Sequence, residues 1–90
     1  MEKSIYTGAY SVFLTCLGSA REKAGLTQSQ LAERLGESQS LISKCERGER
    51  RLDIVELSMF RDALGIMLAD FALQLTAALA KERSRKGSRR

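Results

Sequence analysis

Residues 26–57 read LTQSQLAERLGESQSLISKCERGERRLDIVEL, and this stretch decides the fold. Its apolar residues recur at three- and four-residue steps, which is the period of an amphipathic α-helix. The pattern predicts a short helix over Gln28–Leu35 that ends at Gly36. Ser38 then supplies an N-cap hydroxyl, and a second helix is predicted over Gln39–Arg47.

Two helices of this length are not stable alone, so each must bury its apolar face against the other and against the rest of the chain. Ala32 is small and lets the following helix cross closely, while Gly36 can take the positive φ that a tight turn requires. The second helix then has an outward face with no acid on it, made of Gln39, Ser40, Ser43, Lys44 and Arg47.

The rest of the chain repeats this helical character. Apolar stripes predict one helix over residues 9–24, another over Ile54–Leu64 and a last one over 68–79. The sequence has no proline and no alternating strand pattern. We therefore predict an all-α fold with a flexible lead-in over 1–8, a compact five-helix domain over 9–80 and a basic, disordered tail over 81–90.

The composition argues against catalysis and metal binding. The 90 residues include no histidine, which is both the commonest general base and the commonest metal ligand. The two cysteines, Cys16 and Cys45, are too few for a zinc-ligand set or a disulfide framework. We interpret both as small hydrophobic residues rather than redox sensors. The sequence predicts a protein that is not an enzyme and binds neither a cofactor nor a metal.

The positive charge of the chain is concentrated at its C-terminus. Residues 81–90 hold six basic residues and one acid, a net charge of +5, whereas the other eighty hold nine basic residues and ten acids, a net charge of −1. A nucleic-acid surface in the body must therefore come from local clustering. For the tail, three roles stay open: a solvated segment, non-specific DNA affinity, or contact with anionic lipid. DNA is the better partner, because the polar face of the preceding helix lacks basic residues.

The sequence carries no clear membrane or export signal. No stretch reaches the roughly 18–20 apolar residues of a membrane span. Residues 9–20 have the length of a signal-peptide hydrophobic region, but only Lys3 precedes them, against Glu2. We expect a cytoplasmic protein with reduced thiols and no membrane partner.

The quoted stretch resembles the Cro/phage-repressor helix-turn-helix family, often called XRE-like regulators. Five landmarks are in the family's register: LTQ, the LG that ends the helix over Gln28–Leu35, the following QS, the apolar-Glu-Arg-Gly ending of the helix over Gln39–Arg47, which is the third of the five, and the later ALG. The resemblance covers about residues 10–71. It implies a five-helix lambda-repressor-like DNA-binding domain whose third helix lies in the major groove of DNA.

The resemblance also implies roles for individual side chains. Gln28 is expected to bond a backbone phosphate and to brace the third helix. Gln39 is expected to reach a base edge, since an amide can bond adenine bidentately. The expected DNA-binding set is Gln28, Ser38, Gln39, Ser40, Ser43, Lys44, Arg47, Arg50 and Arg51, in which the three arginines grip phosphates. Arg21 and Glu46 are expected to form a structural ion pair.

These features predict a sequence-specific DNA-binding transcriptional regulator, a repressor that reads a palindromic operator as a homodimer. The stripe over 68–79 is expected to be part core and part dimer surface. Two alternatives stay open. One is the antitoxin of a toxin–antitoxin pair, which binds DNA and a partner protein. The other is a structural interaction module that kept the fold and lost DNA binding.

Overall fold

The computed structural model describes residues 8–87 of the chain, and the side chains of residues 8–83. Five helices follow one another in chain order: α1 (Gly8–Lys23), α2 (Gln28–Leu35), α3 (Gln39–Arg47), α4 (Ile54–Leu64) and α5 (Leu68–Gly87). The described residues contain no strand. The predicted all-α class is confirmed, and so are the predicted bounds of α2, α3 and α4.

Side-chain caps explain where the short helices begin. Thr27 Oγ1 accepts from the backbone N–H of Gln30, and Gln30 Oε1 accepts from the backbone N–H of Thr27, which completes a capping box for α2. Asp53 and Glu56 form the same reciprocal pair at the start of α4. Ser38 caps α3. Each cap satisfies backbone donors that the helix leaves unpaired and contributes about 1 kcal/mol.

The turn between α2 and α3 depends on Gly36. This residue has φ 71° and ψ 30°, and its N–H points back to the carbonyls of Ala32 and Glu33. A side chain would strain the backbone in that left-handed conformation. Ala32 is buried where α3 packs across α2, so the small residue and the glycine together set the angle at which α3 leaves α2.

The core lies between the helices, and one side of α3 packs into it. Leu17, Leu31, Ile42 and Cys45 are at most 1% exposed and form its centre. Helix α1 packs against α3 and α5, while α2 packs against α3 and α4. Because Ile42 and Cys45 anchor α3 in this core, the opposite side of α3 faces outward.

Helix α5 is longer than the sequence pattern predicts. The prediction ended the ordered domain at residue 80, whereas α5 continues to Gly87. Lysine, glutamate and arginine over this stretch are good helix formers, and cations are favourable near the negative end of a helix dipole. Of the predicted tail, 88–90 lie outside the described residues. So does the predicted lead-in, apart from Gly8, the first residue of α1.

No single helix among the described residues is long and apolar enough to cross a membrane. Helix α4 and the first part of α5 pass that test only as a pair, by length and composition, and the two are bent by 112° at the break between them.

Gly18 lies inside α1, where glycine makes a helix less stable than alanine does. A Cβ there would lie 3.8 Å from Glu46 Oε1, an ordinary van der Waals contact. We expect Gly18→Ala to raise the free energy of unfolding by about 0.5–1 kcal/mol, measured by urea denaturation. Gly36→Ala is the matched control: the positive φ should make the same added methyl group destabilising. A loss of stability in Gly18→Ala would contradict the expectation.

Candidate nucleic-acid interface

Helix α3 presents a polar surface, here called the α3 face, which consists of Gln39, Ser40, Ser43, Lys44 and Arg47. All of these are exposed except Ser43, which is half-buried. The acid of α3, Glu46, is turned inward, and its side chain is only 11% exposed. The α3 face therefore offers amide, hydroxyl and cationic groups without a carboxylate of its own helix. Ser38, just before α3, is exposed as well, and a hydroxyl that accepts at a cap can still donate its own proton.

Arg21 and Glu46 lie together between α1 and α3. Arg21 Nε donates to Glu46 Oε2 at 2.7 Å, and Nη2 donates to Oε1 at 3.1 Å, which is a two-point contact. Arg21 Nη1 also donates to the carbonyl of Leu26 at 2.8 Å. The hydrogen bond to Glu46 raises the pKa of Arg21 above its ordinary value. These bonds fix α1, α3 and the later part of the α1–α2 turn relative to one another.

Gln28 connects this ion pair to the α3 face. Its Nε2 donates to Glu46 Oε1 at 3.0 Å. Its Oε1 accepts from Gln39 Nε2 at 2.8 Å. The first residue of α2 thus braces α3 at two points, seven residues apart in the sequence. Gln39 itself is exposed, so the braced amide is at the surface.

Arg47 is held at the C-terminal end of α3 by an acid that the sequence analysis did not assign. Its Nε and Nη2 donate to the two oxygens of Glu49, at 2.9 and 3.1 Å, and Nη1 donates to Ser43 Oγ. The arginine lowers the pKa of Glu49 below its ordinary value. The Arg47 and Glu49 side chains remain 54% and 47% exposed, so the guanidinium is accessible beside a competing carboxylate.

The two other arginines of the expected DNA-binding set also have partners within the chain. Arg50 Nη2 donates to Glu56 Oε2 at 2.6 Å, and this bond lowers the pKa of Glu56. The guanidinium of Arg51 lies 4.2 Å from the centre of the Tyr10 ring, a cation–π contact. No pattern in the sequence indicates a role for Tyr10 or pairs Arg50 with Glu56. Both contacts hold the loop between α3 and α4 in place.

Burial disfavours the thiolate form of both cysteine thiols. Both are free. Burial is the main cause that raises the pKa of Cys45, and likewise that of Cys16. Protonated thiols are poor nucleophiles and poor ligands. Within the described part of the chain, no group of three or more His, Cys, Asp or Glu side chains could hold a metal ion.

Comparison with known proteins gives a consistent set of similarities. The helix-turn-helix family model matches residues 17–71. An XRE-family like protein from Pseudomonas syringae pv. tomato str. DC3000 is 40% identical, with a TM-score of 0.72 over 86% of this chain and 96% of that one. None of the curated proteins matches the sequence.

Two solved regulators are more distant in sequence and similar in structure. The wild-type restriction-modification controller protein C.Esp1396I is 25% identical, with a TM-score of 0.77 over 83% of this chain and 97% of that one. The clp gene regulator ClgR from Corynebacterium glutamicum is 25% identical, with a TM-score of 0.76 over 90% of this chain and 86% of that one. The similarity extends over nearly the whole length of these two proteins.

Proposed function

This chain belongs to the helix-turn-helix family of XRE-type DNA-binding regulators, and we propose that it is a sequence-specific repressor that reads a palindromic operator as a homodimer. The α3 face carries the proposal. Five polar side chains point outward on a helix anchored by Ile42 and Cys45, while Glu46 is turned inward. A rigid helix with donors, acceptors and cations on its outer side suits the major groove.

The order of side chains along α3 suggests that some of them contact bases and others contact phosphates. Gln39 and Ser40 lie in the first turn, where a recognition helix meets base edges. Lys44 and Arg47 lie further along, where cations reach the phosphates that set register and carry no sequence information. Ser43 lies between these groups and accepts from Arg47, so we assign it to positioning of Arg47 as well as to the DNA surface.

Exposed apolar side chains support the homodimer. Ile54 is 64% exposed and its neighbour Val55 66%. A groove between α1, α4 and α5 adds further apolar lining from Leu75 and Leu79, the outer part of the stripe predicted to form the dimer surface. A second copy seated here would cover this surface and relate the two α3 helices by a two-fold axis. A partner protein of another kind stays a prediction that co-purification tests.

Selection of bound duplexes from a random DNA library tests the proposal. We expect two inverted half-sites whose centres lie about 10 base pairs apart, or a multiple of that. A single half-site would contradict the homodimer, and no enrichment at low salt would contradict sequence-specific binding. A reporter gene whose promoter overlaps the selected site should lose expression when the protein is present; increased expression would contradict repression.

Replacing Gln39 by alanine should remove base preference at one position of each half-site. An amide bonded to a base edge contributes about 1–3 kcal/mol of discrimination, and alanine cannot supply it. Competition binding with duplexes that differ only at that position measures the change. Gln74→Ala makes the same substitution on exposed α5 and should leave every preference intact. If Gln39→Ala weakened binding equally on all sequences, its assignment to a base would be wrong.

A further inference from the structure

Four side chains form a continuous hydrogen-bond chain from the interior to the α3 face. It begins at Arg21, continues through Glu46 and Gln28, and ends at Gln39. Its inner half is nearly buried, with the Arg21 and Glu46 side chains 13% and 11% exposed, whereas Gln39 is exposed. Each member touches the next at 2.7 to 3.0 Å.

The carboxylate of Glu46 fixes the direction of every bond in this chain. An ionised carboxylate accepts hydrogen bonds and cannot donate them, so Gln28 must turn its NH2 group toward Glu46. The carbonyl oxygen of Gln28 is then directed at Gln39, and it accepts from the Gln39 NH2 group. Arg21 donates to both oxygens of Glu46 as well, so Glu46 is the acceptor in each of these hydrogen bonds. The orientation of the exposed Gln39 amide is thus determined by Glu46, which lies two hydrogen bonds away.

The fixed polarity has a consequence for base recognition. An amide nitrogen carries two hydrogens, and Gln39 uses one of them toward Gln28. Its other hydrogen and its oxygen form a donor–acceptor pair in one fixed order, which is the pattern that adenine N7 and N6 require. An amide able to flip would offer both orders and would discriminate less between bases.

We infer that Glu46 is a positioning residue for base recognition: acting through Gln28, it fixes the amide of Gln39 in the orientation that selects an A·T pair. The inference rests on the proposed function. It gives Glu46 a role beyond its ion pair with Arg21, because Oε1 is shared between Arg21 Nη2 and Gln28 Nε2. Bonds in such chains polarise one another, so the charge at the inner end also strengthens the outer bonds.

Two variants test the inference, Glu46→Gln and Gln28→Met. The first replaces an acceptor of fixed polarity by an amide that can turn either way, and the second removes the middle of the chain while Arg21 and Glu46 stay paired. The probe is the duplex selected by the wild-type protein, made with each of the four base pairs at the position that Gln39→Ala relaxes. The measured quantity is the ratio of Kd values between the worst and the best base pair.

We expect each variant to reduce this ratio at least about fivefold, the lower end of what a bidentate base contact contributes. The double variant should lose no more than either single one, because the two residues act in series. The ratio compares one protein on different duplexes, so a uniform loss from lower stability or from a lost phosphate contact cancels. Arg34→Met removes an interhelical bond to the Ala63 carbonyl outside the chain and should leave the ratio unchanged.

Three outcomes would overturn the inference. One is uniform weakening with an unchanged ratio, as a purely structural role of Glu46 would give. Another is an additive loss in the double variant, and the third is a best base pair other than A·T. If Glu46→Gln fails to fold, the double variant Arg21→Met with Glu46→Met takes its place, because it also removes the acceptor of Gln28 Nε2 and leaves no unpaired charge. Failure of the proposed function is distinguishable, since the wild-type protein would then select no sequence before any variant is tested.

Discussion

Replacing Arg21 by methionine is expected to lower the free energy of unfolding by about 3 kcal/mol. The substitution keeps most of the aliphatic bulk and removes the cation that faces Glu46, whose side chain is 11% exposed. A carboxylate left in that position loses a two-point ionic contact and, among the described residues, keeps the donor of Gln28. Since a domain of this size has about 5–15 kcal/mol of stability in total, the loss is a large fraction of it.

Urea denaturation followed by circular dichroism measures this loss, and two further variants control for its cause. Arg34 also joins two helices, through a 2.9 Å bond to the carbonyl of Ala63, but it is exposed, so Arg34→Met should cost less than about 1 kcal/mol. The double variant Arg21→Met with Glu46→Met should recover part of the loss, because no unpaired charge is left inside. Equal losses in Arg21→Met and Arg34→Met would show that burial of Glu46 has no energetic consequence.

The bounds of the short helices could be read from the sequence because the signals that set them are local. A cap acts on a backbone donor three residues away, as Thr27 does on Gln30 and Asp53 on Glu56. Gly36 is recognisable for the same reason, since its left-handed conformation closes a turn within four residues. These local rules agree with the long-range packing of this domain, so boundaries derived from them matched the structure.

The partners of the loop arginines could not be predicted from local sequence signals. Arg50 and Arg51 lie in a charged loop, and cations in such a loop suggest phosphate contact when considered alone. The structure brings Glu56 to Arg50 and the ring of Tyr10 to Arg51. Tyr10 reaches this loop only because α1 packs against the rest of the domain, which no local pattern encodes.

The sequence predicts which side chains form the α3 face, but it does not predict the hydrogen bonds that connect them to other residues. Helical periodicity separates the outward Ser40 and Lys44 from the inward Ile42, because two residues are about half a turn of a helix. That Gln28 would bond Gln39 and Glu46 at once depends on how closely α2 and α3 cross. The partnership of Arg47 with Glu49 across Gly48 was missed although the residues are neighbours, because no regular spacing relates them beyond the helix end.

The largest expected effect on function is the dependence of DNA affinity on salt. Three cations per half-site, Lys44, Arg47 and Arg51, are the proposed phosphate ligands, so a dimer would release about six counterions. Arg50 is left out of this set because it is half-buried and bonded to Glu56. The logarithm of the binding constant should then fall with the logarithm of salt concentration at a slope of about −5, or about a thousandfold between 50 and 200 mM salt. Titration of a fluorescent duplex at several salt concentrations measures the slope, and a slope near zero would contradict phosphate contact.

Variants of Arg47 and Glu49 distinguish the contribution of phosphate contacts to DNA affinity from that of base recognition. Arg47→Ala should weaken binding equally on all duplexes and reduce the magnitude of the slope by about 2 for the dimer, one unit for each half-site. Glu49→Gln should strengthen DNA binding, because it removes the carboxylate that competes with DNA phosphate for the Arg47 guanidinium. Its affinity should rise on every sequence while base preferences stay the same. If Arg47→Ala instead changed which base pairs are preferred, Arg47 would read bases, and the division of tasks along α3 would have to be reversed.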